Sequence, residues 1–381
     1  MKTLTLIKSG RGGIWAVQQL EQLVRLGIES VVLLPDGPTA AAARRVEGLS
    51  VEIVPGPSDV GNLDVLRDWR GHIRRAVDKY RPAVVHSHFV ATTLAARFAL
   101  GRRSGPPVVF QVPGPLHLEQ PVTRLIDVRT ARRLDHWIAG CKFSAEMLVR
   151  GGASRSRVHL AYYAGAADRW DQLPPPPPEA AGVIPSDRVV VGMVAYTYPP
   201  RRRFGGRGLK GHEDFIRALE ILLEQGAPVF GLLIGGAWAG AEEYVDRLRA
   251  EARRRLGDAH LWLDTVPDVL PWYRTIDIAV HPSLSENLGG AAESMRAGVA
   301  TIATDVGGFP DLIASKELGI LIPPMNPEAL ASAIGRLVND PARRAAVAGN
   351  GRRHALDLLD PRRNAGLVAD VLRRVVDESA S

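Results

Sequence analysis

Two doubly wound, Rossmann-like α/β domains facing a cleft are the fold this sequence predicts, and three observations carry the expectation. Short apolar runs alternate with longer amphipathic segments up to about residue 172. Five consecutive prolines, Pro174 to Pro178, then interrupt the pattern. The alternation restarts near residue 184 and runs to about residue 355. Apolar strands separated by helices imply a parallel sheet covered on both faces. A chain of 381 residues suits two domains of ~100–200 residues each.

In the first half, Thr3–Lys8 reads as a strand, followed by a glycine turn and a helix over Ile14–Leu26. Glu29–Leu34 and Val51–Val54 are further strands, and Leu63–Tyr80 has the apolar spacing of a helix. Ala83–His88, Val108–Val112 and His136–Ala139 complete the expected strands. The proline run lacks backbone donors and has fixed φ, so 173–183 is expected to be a stiff linker. Beyond it, Arg188–Ala195, Val229–Ile234, Leu261–Leu263, Ile276–His281, Ala300–Thr304 and Leu318–Ile322 read as strands. Helices are expected over Glu213–Gln225, Ala241–Leu256, Gly289–Ala297 and Pro327–Asn339. The expected division is 1–172, the linker 173–183, 184–355, and a helical end, 356–381, that crosses back to the first domain.

Composition excludes several classes. With 46% hydrophobic and 23% charged residues, the chain is neither disordered nor collagen-like. Met1–Ile7 does not fit a signal peptide, and no stretch reaches the roughly 18 apolar residues of a membrane span. A single cysteine, Cys141, forms no internal disulfide, so a reducing cytoplasm is expected. The formal charge of +7 favours anionic partners of any kind. All but six of the 48 basic residues are arginine, which equally reflects a GC-rich genome.

Glycines of Ser9-Gly10-Arg11-Gly12-Gly13 sit between the first strand and the first helix, where free N–H groups attract anions. The third spaced glycine of a dinucleotide fingerprint is missing. Alternation sends His86 and His88 to one face at a strand's carboxyl end, either to bond a polar substrate or to serve the structure. Without a Cys, Asp or Glu beside them they make a weak metal site. The loop Gln111–His117 is a further candidate cleft lining. Tyr198–Gly211 is the most basic stretch, with Arg201, Arg202, Arg203, Arg207 and Lys210 among glycines and no acidic residue. Its arrangement suits a loop closing over a phosphate.

Residues 276–311 hold the strongest signal. A strand runs into His281-Pro282-Ser283-Leu284-Ser285-Glu286-Asn287-Leu288-Gly289-Gly290, then a helix carrying Glu293. A carboxylate accepts from both hydroxyls of a ribose diol, and N–H groups at a helix start meet a diphosphate. Glu293 is thereby placed to hold a ribose, the helix start the phosphates, and Glu286 the next group along.

These segments, with Leu209-Lys210-Gly211-His212-Glu213 and the run Ala297–Gly308, resemble the group 1, or family 4, glycosyltransferases of the GT-B fold over nearly the whole chain. The resemblance implies a nucleotide-sugar donor, UDP- or GDP-linked, in the second domain and a hydroxyl acceptor in the first. It implies retention of anomeric configuration, no metal and no other cofactor, in keeping with the absence of an Asp-x-Asp pair. Lys210 then matches the family lysine on the donor diphosphate, and Lys210, Glu286 and His88 are the catalytic candidates. Gly12, Gly13, Asn287, Leu288, Gly289, Gly290 and Glu293 join Lys210 and Glu286 as donor-binding candidates. Arg201, Arg202, Arg203 and Arg207 are candidates for a diphosphate contact, and His86, His88 and His117 for the acceptor.

The sequence departs from the family at three places. Ala195-Tyr196 stands where an arginine usually follows a glycine, the usual loop histidine near Val112 is absent, and six rather than seven residues separate Glu286 from Glu293. An epimerase of related fold is the competing enzyme, and a basic nucleic-acid module the competing class. No helix-turn-helix, zinc or aromatic stacking signature supports the latter, so no nucleic-acid partner is expected. Arg67, Arg70, Arg74, Arg75, Lys79 and Arg81 share one helix with Trp69, either as a solvated face or as a peripheral contact with acidic membrane.

Overall fold

The computed structural model describes residues 1–55, 62–101, 105–165, 170 and 172–380. It forms two compact units, Met1–Ala167 with Leu359–Ser381, and Asp168–Leu358.

The first unit runs β1 (Lys2–Leu6), α1 (Ile14–Arg25), β2 (Glu29–Leu34), α2 (Pro38–Ala43), β3 (Leu49–Ile53), α3 (Asn62–Tyr80) and β4 (Val84–Ser87). It continues through α4 (Val90–Leu100), β5 (Val108–Val112), α5 (Pro121–Thr130), β6 (His136–Ala139), α6 (Lys142–Arg150) and β7 (Val158–Leu160). All strands are parallel, in the order β3-β2-β1-β4-β5-β6-β7. Strand alternation builds a core on each face. Leu4, Leu6 and Val85 meet Trp69 and Ile73 of α3 and Ala95 of α4. Ile7, Val84 and Val109 meet Leu20 of α1 together with Val368 and Leu372 near the chain's end.

The second unit runs β8 (Val189–Val194), α7 (His212–Glu224), β9 (Val229–Ile234), α8 (Glu242–Leu256), β10 (His260–Leu263), α9 (Leu270–Tyr273) and β11 (Ile278–His281). There follow α10 (Gly289–Arg296), β12 (Ala300–Thr304), α11 (Phe309–Leu312), β13 (Ile320–Ile322), α12 (Pro327–Val338) and α13 (Pro341–Leu358). Its parallel order is β10-β9-β8-β11-β12-β13. Helix α12 shows the local logic: Pro327 sits in its first turn, and the Asn326 side chain accepts from the Ala329 N–H at 2.9 Å. Strand order reverses between β1 and β4 in one sheet and between β8 and β11 in the other. Loops leaving those strands diverge, opening a crevice beyond their carboxyl ends.

The expected stiff linker is anchored around its prolines: Leu173 and Ala180, with Trp170 and Ile184 just outside it, pack with Leu232, Ile234, Trp272 and Tyr273 in the second unit's core. The helical tail is two helices, α13 and α14 (Pro361–Ala380), and the second returns to the first unit as expected, from Leu359, three residues past the expected bound. Pro361 cannot continue α13's hydrogen bonding. The Asp360 carboxylate instead caps the new helix by accepting from the Arg363 N–H at 2.6 Å.

Candidate nucleotide-sugar site

Lys210 and Glu286 lie on the loops that leave β8 and β11, at the second sheet's switch point. Two contacts clasp these loops together. The Leu284 N–H donates to the Leu209 carbonyl at 2.8 Å. Gly211, at φ +72°, passes so close to Pro282 that a Cβ would stand 2.0 Å from its carbonyl oxygen. Only glycine combines that backbone angle with that approach. As a result the Lys210 ammonium donates to Glu286 Oε2. Glu286 Oε1 accepts from the Asn287 N–H at 3.0 Å, and its backbone carbonyl accepts from the Gly308 N–H at 3.2 Å. Burial works most strongly against the lysine's charge, yet the Glu286 carboxylate together with Tyr198 and Glu293 holds the Lys210 pKa above the ordinary value. The Tyr198 ring centroid lies 5.9 Å from the ammonium.

Helix α10 starts at Gly289 with Leu288 before it, and no side chain caps it. Gly290 brings its first turn against β11, for a Cβ there would stand 2.9 Å from the His281 ring. His281 Nε2 lies 2.9 Å from Ser294 Oγ, and burial, then the nearby Lys210 charge, depress its pKa to about 3. Glu293, one turn into the helix, accepts from the Tyr273 hydroxyl at 3.2 Å. Lys210, Tyr198, Gly290 and Glu293 line one pocket of about 270 Å³ with Val194, Ile234, Val266 and Val269. Charged groups thus share a pocket with an apolar wall, the make-up of a small-molecule site. Asn287 is buried nearby, and its Oδ1 has no hydrogen-bond partner. Among the described residues, no three His, Cys, Asp or Glu side chains are grouped to hold a metal ion.

None of the four loop arginines lines this pocket. Arg201 and Arg207 face each other across a tight turn, with the Arg201 N–H donating to the Arg207 carbonyl at 3.0 Å. Arg207 also pairs with Asp214. Arg202 and Arg203 are exposed on that turn, the latter with its guanidinium 4.3 Å from the Phe204 ring centroid. The structure adds residues that no motif marked. Tyr198 lies beside Lys210 and Tyr273 beside Glu293, and Tyr244 of α8 steadies the loop by accepting from the Gly208 N–H at 2.7 Å and donating to Glu213.

In the first unit, the glycine loop follows β1. Gly12 takes φ +75°, and the Gly13 N–H donates to Thr39 Oγ1 at 3.2 Å, so this donor is satisfied internally rather than offered to an anion. His86 and His88 are fully buried, so of the two roles the sequence left open the contacts here are structural ones. Alternation does put them on one face, but that face lies under α1. His86 Nε2 donates to Gln111 Oε1 at 3.0 Å, and Gln111 and Gln19 exchange amide hydrogen bonds of 2.7 and 3.0 Å. His88 Nδ1 donates to the Tyr163 hydroxyl at 3.0 Å, which in turn donates to the Gln111 carbonyl at 3.0 Å. Burial holds the His86 pKa at about 4, and burial, then the nearby His86, holds that of His88 well below its ordinary value. His117 is tied to Asp127 Oδ2 at 3.3 Å.

Two parallel-sheet α/β units, one carrying a charged pocket at its switch point, define the GT-B class of sugar-transfer fold. HepE from Anabaena, solved with UDP-glucose, shares that fold at a TM-score of 0.78, with 20% identity over 96% of this chain and 98% of its own. Residues 205–354 match the family model described as glycosyl transferases group 1, and residues 13–163 match glycosyltransferase family 4. The chain belongs to the group 1 glycosyltransferases. It is similar to the lipopolysaccharide core biosynthesis mannosyltransferase LpcC of Rhizobium leguminosarum bv. viciae, 31% identical over 54% of this chain. The match spans 58% of that relative's length. The D-inositol 3-phosphate glycosyltransferase of Xylanimonas cellulosilytica is 29% identical over 84% of this chain and 76% of its own.

Proposed function

We propose that the protein moves a sugar from a nucleoside-diphosphate donor, UDP- or GDP-linked, to an acceptor hydroxyl with retained anomeric configuration and without a metal ion. The observation that carries this is the Lys210–Glu286 pair beside the uncapped start of α10, with Lys210 and Glu293 lining one pocket. HepE's solved complex with UDP-glucose supports the donor class. Glu293 accepts from the ribose diol, and the N–H groups at Gly289 and Gly290 meet the diphosphate. Glu286 accepts from hydroxyls of the donor sugar. As the bond from the anomeric carbon to phosphate oxygen breaks, its electron pair stays on the diphosphate. Lys210 and the helix dipole stabilise that growing charge. The acceptor oxygen bonds the same face of the anomeric carbon, and its proton passes to the departing phosphate oxygen. No side chain need act as base, which suits the burial of His88.

The acceptor is a polysaccharide, a glycolipid or a small natural product. Cytoplasmic placement with peripheral contact to an acidic membrane belongs to the same reading. Among the described residues, no helix is long and apolar enough to cross a membrane. An epimerase would turn over donor with no acceptor present, so donor consumption that requires acceptor separates the two. Calorimetry with UDP and GDP, and transfer assays in excess EDTA, test the rest. Binding of one diphosphate and turnover that survives chelation are expected. Activity lost in EDTA and restored by magnesium or manganese would remove the metal-free mechanism.

A further inference from the structure

Lys210 is the one cation among the described residues that line the second unit's pocket, and Glu286 already pairs with it. Glu293, a second carboxylate, lines the same pocket. A diphosphate brings more negative charge than one paired ammonium offsets, so neutral donors have to supply the remainder. Helix α10 offers backbone N–H groups at Gly289 and Gly290, and the pocket's other side-chain donors are the hydroxyls of Tyr196, Tyr198 and Thr265. Thr265 follows β10 beside Val266 and Val269, on the apolar wall, whereas both tyrosines follow β8 on the loop that carries Lys210.

The backbone after β8 presents those two rings together. Thr197 bridges to Ala237 beyond the end of β9: its N–H donates to the Gly236 carbonyl at 3.0 Å, and its carbonyl accepts from the Trp238 N–H at 2.8 Å. Alternation along this bridge sends Thr197 inward, where its Oγ1 lies 3.2 Å from His212 Nε2, and leaves Tyr196 and Tyr198 to the pocket side. Trp238 holds both rings, edge-on to Tyr196 at 5.4 Å between centroids and stacked on Tyr198 at 5.5 Å. Such contacts fix the rings without using their hydroxyls. Among the described residues no hydrogen bond engages either hydroxyl, and Tyr196 is 39% exposed. The phosphate end of the pocket is close by. The Lys210 ammonium lies 5.9 Å from the Tyr198 ring centroid, and a Cβ at Gly290 would stand 3.2 Å from the carbonyl oxygen of Val194, two residues before Tyr196. Burial is the main cause that raises the Tyr198 pKa, so its hydroxyl keeps the proton it would donate.

We propose that the Tyr196 and Tyr198 hydroxyls donate to the diphosphate of the donor, so that this chain holds the departing phosphates with two phenols around a single ammonium. It deepens the proposed transfer and rests on a nucleotide occupying this pocket. An O–H donor gains strength as its acceptor oxygen gains charge, so the phenols hold the leaving diphosphate more firmly than the intact donor.

Calorimetry and steady-state transfer on Tyr196→Phe, Tyr198→Phe and the double variant test this. Phenylalanine keeps each ring on Trp238, so the melting temperature should hold while only the hydroxyl is lost. Each single variant is expected to weaken binding of UDP or GDP, whichever the wild type takes, by roughly tenfold. Turnover at saturating donor should fall by a similar factor, and binding of the bare nucleoside, uridine or guanosine, should be unchanged. Tyr196→Arg adds a charge at the same place, so it should tighten diphosphate binding and steepen its salt dependence. Phenylalanine variants that bind the diphosphate and transfer sugar as the wild type does overturn the proposal. An equal loss for nucleoside and diphosphate assigns the hydroxyls to the base or ribose and also overturns it. So does an arginine variant whose binding and salt dependence match the wild type. A wild type that binds neither UDP nor GDP removes the nucleotide reading and this proposal with it, whereas intact wild-type binding matched by the phenylalanine variants removes this proposal alone.

Discussion

The Lys210 ammonium and the Glu286 carboxylate form an ion pair across 76 residues of sequence, on loops that the fold brings together at one switch point. Partly buried, each group compensates the other's desolvation until a ligand competes. Lys210→Ala is expected to lower turnover on the order of a hundredfold at saturating donor, because phosphate charge grows mainly in the transition state. Glu286→Gln should leave nucleoside-diphosphate affinity nearly unchanged and reduce sugar transfer sharply. Ser285 is buried beside it. Transfer that survives Glu286→Gln but fails in Ser285→Ala would place the family glutamate one residue earlier.

Glu293 stands on a helix and is bonded to the Tyr273 hydroxyl. Glu293→Ala removes an acceptor from the pocket and is expected to cost about 1–3 kcal/mol of nucleoside-diphosphate affinity. Glu293→Gln keeps an acceptor for Tyr273 and should recover the thermal stability but only part of the affinity. Calorimetry with the bare diphosphate, beside a melting curve for each variant, checks both statements.

Gly211 offers a matched comparison with Gly226. Their φ angles are +72° and +75°, but a Cβ at Gly211 meets the Pro282 oxygen at 2.0 Å whereas one at Gly226 meets nothing within 4 Å. Gly226→Ala should therefore cost only the backbone penalty, about 1–2 kcal/mol. Gly211→Ala must also push apart the loops that hold Lys210 against Glu286, and a misplacement of about 1 Å near the chemistry can cost a hundredfold. Equal activity in the two folded variants would show that the clasp does not set Lys210's position.

Acid should destabilise the fold through buried neutral histidines. Burial is the leading cause in each case, holding His86 near a pKa of about 4 and His212 and His281 near about 3, against an ordinary 6.5. Below pH 6.5 the unfolded chain takes up protons that the folded chain refuses. The stability they confer is full above that value and declines as pH falls toward their folded values. A drop in Tm on the order of 10 °C between pH 7 and pH 5 is expected by calorimetric scanning. A flat profile would mean that these rings accept protons in place.

Strand and helix alternation, the glycine breaks and the 276–311 segment were legible in the sequence, because they follow from local apolar period and from the chemistry of single side chains. Residue order alone placed Glu286 and Glu293 around a helix start and Lys210 in a basic loop. Contacts between distant segments were not local properties, so tertiary structure decided them. The His86–His88 pair follows alternation faithfully, yet its face is closed by α1 and bonded to Gln111 and Tyr163, which no period in the sequence encodes. The five prolines read as a linker because their backbone is stiff, whereas Trp170 and Ala180 on either side found a core to enter. Periodicity fixes which face of an element is apolar; only packing fixes what that face meets.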